Sequence, residues 1–284
     1  MDDNSSWEDM FNRPPLPDDP LVYWIAFTPR SGSTWLGRVL GESGVLGRPL
    51  EYFNLKAAKY AIERSGATSM QEYYRYLKRD RQTNGVFGAE VAINHLKKLI
   101  DEGYNAVIDE TDFWFFLRRR DFVAQSVSLY KARETRIFHS DQSAQADLMV
   151  KYDKEKIMNN ALQVLSAEYN WAQFFASSQI TCEELWYEDM VKLDDSALLT
   201  KFCEAIGQPD RCAGVRSEGS QLLKPLANQN SRDLIAQFNE EHCDFLGYWE
   251  EYRGHKSVKE FYVDFPQYAG TKVITKLKSG LRHR

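Results

Sequence analysis

Two short stretches combine side chains and backbone in a way that could hold an anion. The first is Arg30-Ser31-Gly32-Ser33-Thr34, which follows the apolar run Val22 to Phe27 and opens into a helical pattern. Backbone N–H groups at a helix start lack an internal partner, and the helix dipole makes that end positive. Gly32 lets the backbone come close, the hydroxyls of Ser31, Ser33 and Thr34 add donors, and Arg30 adds fixed charge. A phosphate or a sulfate fits such a turn. An ordinary capped strand-to-helix junction would use the same residue types. The second stretch is Leu117-Arg118-Arg119-Arg120-Asp121, followed by Gln125, Ser126 and Ser128. It repeats the design: an apolar run ends, arginines emerge and a helix begins. The guanidinium fork matches phosphate. Three consecutive side chains cannot all point one way, so one or two face solvent or pair with Asp121. Two such turns together imply one ligand with two separated phosphate-type groups.

Both turns need rigid strands behind them. Residues 21–27 read as a central strand, apolar on both faces. A helix over about 33–42 follows, with Leu36, Val39 and Leu40 on one side, until Gly41, Gly44 and Gly47 break the pattern. Leu50 to Phe53 reads as a short strand or a turn. Residues 55–64 and 69–81 carry helical spacing, Asn84-Gly85 signals a turn, and 86–93 reads as a strand running into a helix. A short strand is expected over 106–108 and a buried one over 113–117. Asp121 caps a helix from 122 to about 136, and another helix covers about 153–178. A strand over 182–187, a helix over 195–206 and a helix over 232–246 complete the pattern, and the aromatic remainder reads as irregular. Strands alternating with helices argue for an α/β fold, a central mostly parallel sheet flanked by helices. In such sheets ligands bind at the carboxyl edge, where both turns sit.

The totals narrow the possibilities. A chain of 284 residues, 43% hydrophobic and 27% charged, has the composition of a globular protein and can bury a sizeable core. A net charge of −5 gives no global attraction to nucleic acid, so any basic site is local. No apolar run reaches membrane-spanning length, and no secretion signal opens the chain, so a cytoplasmic protein is expected. Cys182, Cys203, Cys212 and Cys243 lack zinc-type spacing and read as free thiols. One domain is expected over 21–264, between an acidic, proline-rich arm (1–20) and a basic tail (265–284). His95 reads as structural, and His139 as a weak candidate for the cleft.

The first turn, Thr28 to Leu36, resembles the 5′-phosphosulfate loop of sulfotransferases that use 3′-phosphoadenosine 5′-phosphosulfate (PAPS). The Arg-Arg-Arg-Asp…Gln-Ser-Val-Ser block resembles their 3′-phosphate site. Three further pieces are similar to the bacterial trehalose 2-sulfotransferase-like branch: Gly47-Arg48-Pro49-Leu50-Glu51-Tyr52-Phe53, Asn84-Gly85-Val86-Phe87-Gly88, and Gln125 to Ala132. Leu223 to Ser231 is a weaker echo. Order and spacing agree over roughly 21–240, and the ordered set is far more specific than any piece.

The resemblance implies a P-loop-like sulfotransferase fold and, as in the family, a possible homodimer. It implies that Arg30, Ser31, Gly32, Ser33 and Thr34 hold the 5′-phosphosulfate. It gives the 3′-phosphate to Arg119 and Ser128, with Arg118, Arg120 and Ser126 as alternatives. Glu51 matches the family's catalytic base, and transfer to an alcohol needs a group that takes the hydroxyl proton. Arg30 would stabilise the charge that develops on the departing nucleotide. The scheme requires no metal. Two residues depart from the branch: Glu90 stands where it carries a lysine, and Arg48 where it carries an acid. These reversals lie beside the acceptor side and admit a saccharide other than trehalose, or another small hydroxylated metabolite. Two other activities would use the same first turn. A metabolite kinase is disfavoured by the missing Gly-Lys-Ser/Thr ending. A non-catalytic nucleotide-binding module would tolerate the loss of Glu51.

Overall fold

The computed structural model describes residues 19–138, 148–215, 219 and 227–268. Four strands form one parallel sheet: β1 (Leu21–Phe27), β2 (Val86–Ala92), β3 (Phe113–Arg118) and β4 (Cys182–Trp186). Their spatial order is β2-β1-β3-β4. The chain therefore leaves β1 in one direction to reach β2 and later crosses to β3 on the other side. The strand order reverses between β1 and β3, and the crevice at such a reversal is where open α/β sheets bind ligands. Register places Phe27 opposite both Ala92 and Leu117 at that edge.

Strand alternation divides the core into two faces. Trp24, Phe87, Trp114 and Phe116 point to one, and Tyr23, Ile25, Phe115 and Leu117 to the other. The first face is covered by α3 (Met70–Arg81), α4 (Ile93–Asp101) and α7 (Lys154–Ser178) through Tyr73, Leu96 and Trp171. The second is covered by α1 (Ser33–Glu42) and α9 (Asp195–Ala205) through Leu36, Leu40 and Phe202. Helices on both faces are what continuous apolar strands require. The α2 helix (Leu55–Ser65) lies before α3 in the chain. A third cluster packs α6 (Phe122–Thr135) and α7 against α10 (Gln229–Glu241), α11 (Cys243–Tyr252) and α12 (Val258–Asp264). Among the described residues no helix is long and apolar enough to cross a membrane.

Four local expectations are corrected or resolved. Residues 106–108 are not a strand but part of the one-turn α5 (Ala106–Asp109). The Asn105 carbonyl accepts from the N–H groups of Ile108 and Asp109 at 2.8 and 3.0 Å, which closes the turn that feeds β3. Leu50 to Phe53 resolves as a turn, with Tyr52 N donating to Leu50 O at 2.9 Å. The C-terminal aromatic stretch is helical, split into α10 and α11 at His242 and followed by α12. Cys203 and Cys212 are not free thiols. The bend after α9 returns Gln208 N to Cys203 O at 2.7 Å and brings the two Cα atoms to 6.2 Å, where they form a disulfide. Cys182 and Cys243 are free, as expected. The N-terminal arm before Asp19, His139 and the tail beyond residue 268 lie outside the described residues.

Candidate active site

The first turn leaves β1 in an unusual backbone. Arg30 and Gly32 both have positive φ, 66° and 98°. At Gly32 a side chain is also excluded by contact, because a Cβ would meet the Tyr187 ring at 2.5 Å. The result is a tight nest of N–H groups at the start of α1. The first intrahelical bond runs from Leu36 N to Gly32 O at 3.0 Å, so the N–H groups of Ser33, Thr34 and Trp35 precede the ladder. No side chain caps this helix, and its first turn holds no acid. By contrast, side chains cap α3, α6, α7, α9, α10 and α12. The N-termini of α4, α5, α8 (Tyr187–Met190) and α11 also lack a side-chain cap, but α1 differs from them in starting from a nest of N–H groups with Arg30 beside it, which makes it available to an anionic ligand.

The hydroxyls of the turn differ in what they face. Ser31 is fully buried and its Oγ has no hydrogen-bond partner. Thr34 is exposed. Ser33 is buried, and its hydroxyl acts on the Glu90 carboxyl. Gln125 of α6 braces the turn, donating through Nε2 to Thr28 Oγ1 at 2.8 Å and to Pro29 O at 2.7 Å. Trp171 Nε1 donates to Phe27 O at 3.0 Å and fixes the end of β1.

Arg30 bridges the two strand ends. Its Nε donates to Ser128 Oγ at 3.1 Å, and its Nη1 donates to Phe138 O. Burial first, and then the positive charge of Arg119, pull the Arg30 pKa downward. The two guanidinium groups thus repel each other across the crevice.

The second turn has already neutralised most of its charge. Arg118 ion-pairs with Glu184 at 3.2 Å and with the buried Glu168 at 3.5 Å, and stacks on Trp186. Arg120 holds Asp189 through two bonds, at 2.8 and 2.5 Å. Glu188 accepts from the N–H groups of Arg120 and Asp121 at 3.0 and 3.3 Å, taking the backbone donors of this turn for itself. Arg119 has only a loose contact with Glu188, 3.7 Å from its Nε, and lies over the Tyr187 ring. The expected pairing of an arginine with Asp121 is replaced by Glu184, Glu188 and Asp189, because β4 and the short α8 (Tyr187–Met190) run alongside. Asp121 instead caps α6 through Ala124 N at 2.8 Å. Ser126 is buried and donates to Phe122 O, so it does not reach the crevice, whereas Ser128 does through Arg30.

Glu51 lies in the turn before α2, with Asn54 Nδ2 donating to its Oε2 at 3.0 Å. The turn is tied to β2 by Glu90 N, which donates to Leu50 O at 2.9 Å. His95, read as structural, is half-buried at the head of α4 and within the field of Glu51. Arg48 is exposed on the surface.

Arg253 was not legible as a site residue. It grips the buried Glu168 at 2.6 Å through both Nε and Nη2 and donates to the carbonyls of Arg119 and Arg120. The C-terminal helices thereby hold the second turn in shape. Only the neighbouring Gly254, with positive φ, marks that spot as a helix end in the sequence.

The geometry meets its relatives at this point. The family model described as Stf0 sulphotransferase matches residues 22–241. Trehalose 2-sulfotransferase of Mycolicibacterium smegmatis is 22% identical over 267 residues, covering 80% of this chain and 97% of that protein. The enzyme of the same name from Mycobacterium tuberculosis is 22% identical over 263 residues, covering 77% and 94%. Among solved structures, the sulfotransferase domain of the curacin biosynthetic pathway overlaps 78% of this chain and 98% of its own, at 14% identity and a TM-score of 0.38. A match over most of the chain, on the residues that build the two turns and the sheet between them, is decisive: this protein belongs to the Stf0 sulphotransferase family.

Proposed function

We propose that this sulfotransferase takes its sulfuryl group from PAPS and delivers it to a hydroxyl of a saccharide or related polyol. The observation that carries the reading is that Arg30 and Arg119 come from two different turns to one place at the strand reversal: Arg119 lies over the Tyr187 ring that closes on Gly32, and its charge acts on Arg30. A ligand with two anionic groups matches that pair. The uncapped N-terminus of α1, the orphaned Ser31 Oγ and the nest at Gly32 fit the 5′-phosphosulfate. Arg119 and Ser128 fit the 3′-phosphate.

Bound PAPS supplies an activated sulfur whose bond to the 5′-phosphate oxygen breaks as the acceptor oxygen bonds to it. The protein does the rest. Glu51 accepts the hydroxyl proton as the new S–O bond forms. Arg30 and the N–H groups of Ser33 and Thr34 stabilise the electron pair that stays on the departing 5′-phosphate. Gln125 and Trp171 keep the turn in place, so those donors need little rearrangement. The relatives named trehalose 2-sulfotransferase support a sugar acceptor, while Arg48 and Glu90 set this chain apart from that branch.

The test is product assay by mass. The protein is incubated with PAPS and a panel of saccharides and polyols, and one product should gain a sulfate. Glu51→Gln should lower turnover by about 10²- to 10⁴-fold while still binding 3′-phosphoadenosine 5′-phosphate (PAP). Unchanged turnover would remove Glu51 from the role of base.

A further inference from the structure

We propose that Glu90 is a positioning residue: a buried carboxyl, set in a slot between α1 of the donor turn and the turn that carries Glu51, that holds the base in place. The proposal rests on the reading of Glu51 as base. Glu90 lies on β2 opposite Ile25 of β1, with 3% of its surface exposed. Its carboxyl fills a slot on α1 that exists because residue 37 is glycine. A Cβ there would stand 2.3 Å from Glu90 Oε1 and 2.7 Å from Pro49 O. The Ser33 hydroxyl acts on the carboxyl from the donor turn, and the charge of Glu51 acts on it from the turn before α2. Oε1 has no hydrogen-bond partner and is shut off from solvent.

A charged carboxylate in that slot would be desolvated and set against a second carboxylate. Burial first, and then the charge of Glu51, push the Glu90 pKa up to about 8, with the Ser33 bond acting in the other direction. The other titratable neighbours are Tyr23 of β1, which feels the charge of Glu90 and whose hydroxyl donates to Leu46 O, and His95 of α4, which feels Glu51. None supplies a positive charge to Glu90 itself. At neutral pH Glu90 therefore keeps its proton and sets no negative charge against Glu51. The Glu90 amide, bonded to Leu50 O, fixes the backbone beside Glu51 as well.

The direct test is an infrared titration of the carboxylic-acid carbonyl band in the full chain. Wild type should show a buried band at pH 7 that disappears near pH 8 and is missing in Glu90→Gln. Glu51→Gln removes a neighbouring charge and should move that loss to lower pH. Ser33→Ala removes the opposing bond and should move it to higher pH. In turnover, Glu90→Ala should lower kcat about tenfold and Glu90→Gln should restore most of it, because the amide is neutral and fills the same slot. Thermal melting gives a readout independent of activity. Between about 4.5 and 8 the native state keeps a proton that the unfolded chain has released, so stability falls as pH rises through that window. Glu90→Gln should melt a few degrees above wild type at pH 8.5, with the gap closing as pH falls toward 4.5.

Absence of the protonated band at pH 7, or a band indifferent to both neighbours, overturns the proposal whatever Glu51 does. Equal turnover in Glu90→Ala, Glu90→Gln and wild type overturns the positioning role. A band that behaves as expected while Glu51→Gln retains full turnover would instead count against Glu51 as base, which separates the two failures.

Discussion

The two arginine-bearing turns at the carboxyl edge look alike in sequence and differ in what they leave open. The turn after β1 has an uncapped helix, an orphaned buried hydroxyl and no acid in its first helical turn. The turn after β3 has three arginines, yet its helix is capped by Asp121 and its backbone donors serve Glu188. Two of its guanidinium groups are committed to Glu184, Glu168 and Asp189. Counting arginines would make the second turn the stronger anion site. Counting unspent donors makes it the weaker one, reduced to Arg119 and Ser128. The difference teaches that charge marks a site only after the partners supplied by the fold are subtracted.

The contrast can be broken in either turn. Arg30→Ala should cut turnover by about 10³-fold, because it removes a guanidinium aimed at developing charge. A smaller loss, within tenfold in a steady-state assay of PAP formation, would show that the first turn works through its backbone alone. In the second turn, Glu188→Gln keeps one of the two acceptor oxygens, and so one of the two N–H bonds, and removes the charge that competes for Arg119. PAP should then bind about two- to fivefold more tightly by calorimetry, the scale of a partly exposed ion pair. Weaker binding would mean that Glu188 supports the turn more than it competes there. The smallest effect belongs to Arg120→Ala. Its pair with Asp189 is exposed on both sides, 48% and 53%, so melting temperature and PAP affinity should hardly move. A large loss of PAP affinity would return Arg120 to the ligand site.

Much of this was legible in the sequence. The strands β1 and β3 are apolar on both faces, and parallel pairing buries both faces, so their residue runs announce them. The turn after β1 declared itself because a glycine, small hydroxyls and an arginine follow such a strand directly. The pairing of Arg118 and Arg120 was hidden: their partners lie some fifty to seventy positions away and come near only when β4 joins the sheet. Glu90 was visible as a departure from the family's pattern, but its burial depended on the slot at Gly37. The helices α11 and α12 were masked by aromatic residues on most faces. Ser257 and Glu260 form a capping box three residues apart, the one local sign that α12 starts there.

The most direct measurement is calorimetric titration of PAP and of adenosine 5′-monophosphate into wild type and Arg119→Ala. If one bisphosphate ligand spans the two turns, the substitution weakens PAP by about ten- to a hundredfold, the worth of a charge-assisted bond, and leaves the monophosphate almost unchanged. Equal weakening of both nucleotides, or no binding of PAP to wild type, would contradict it.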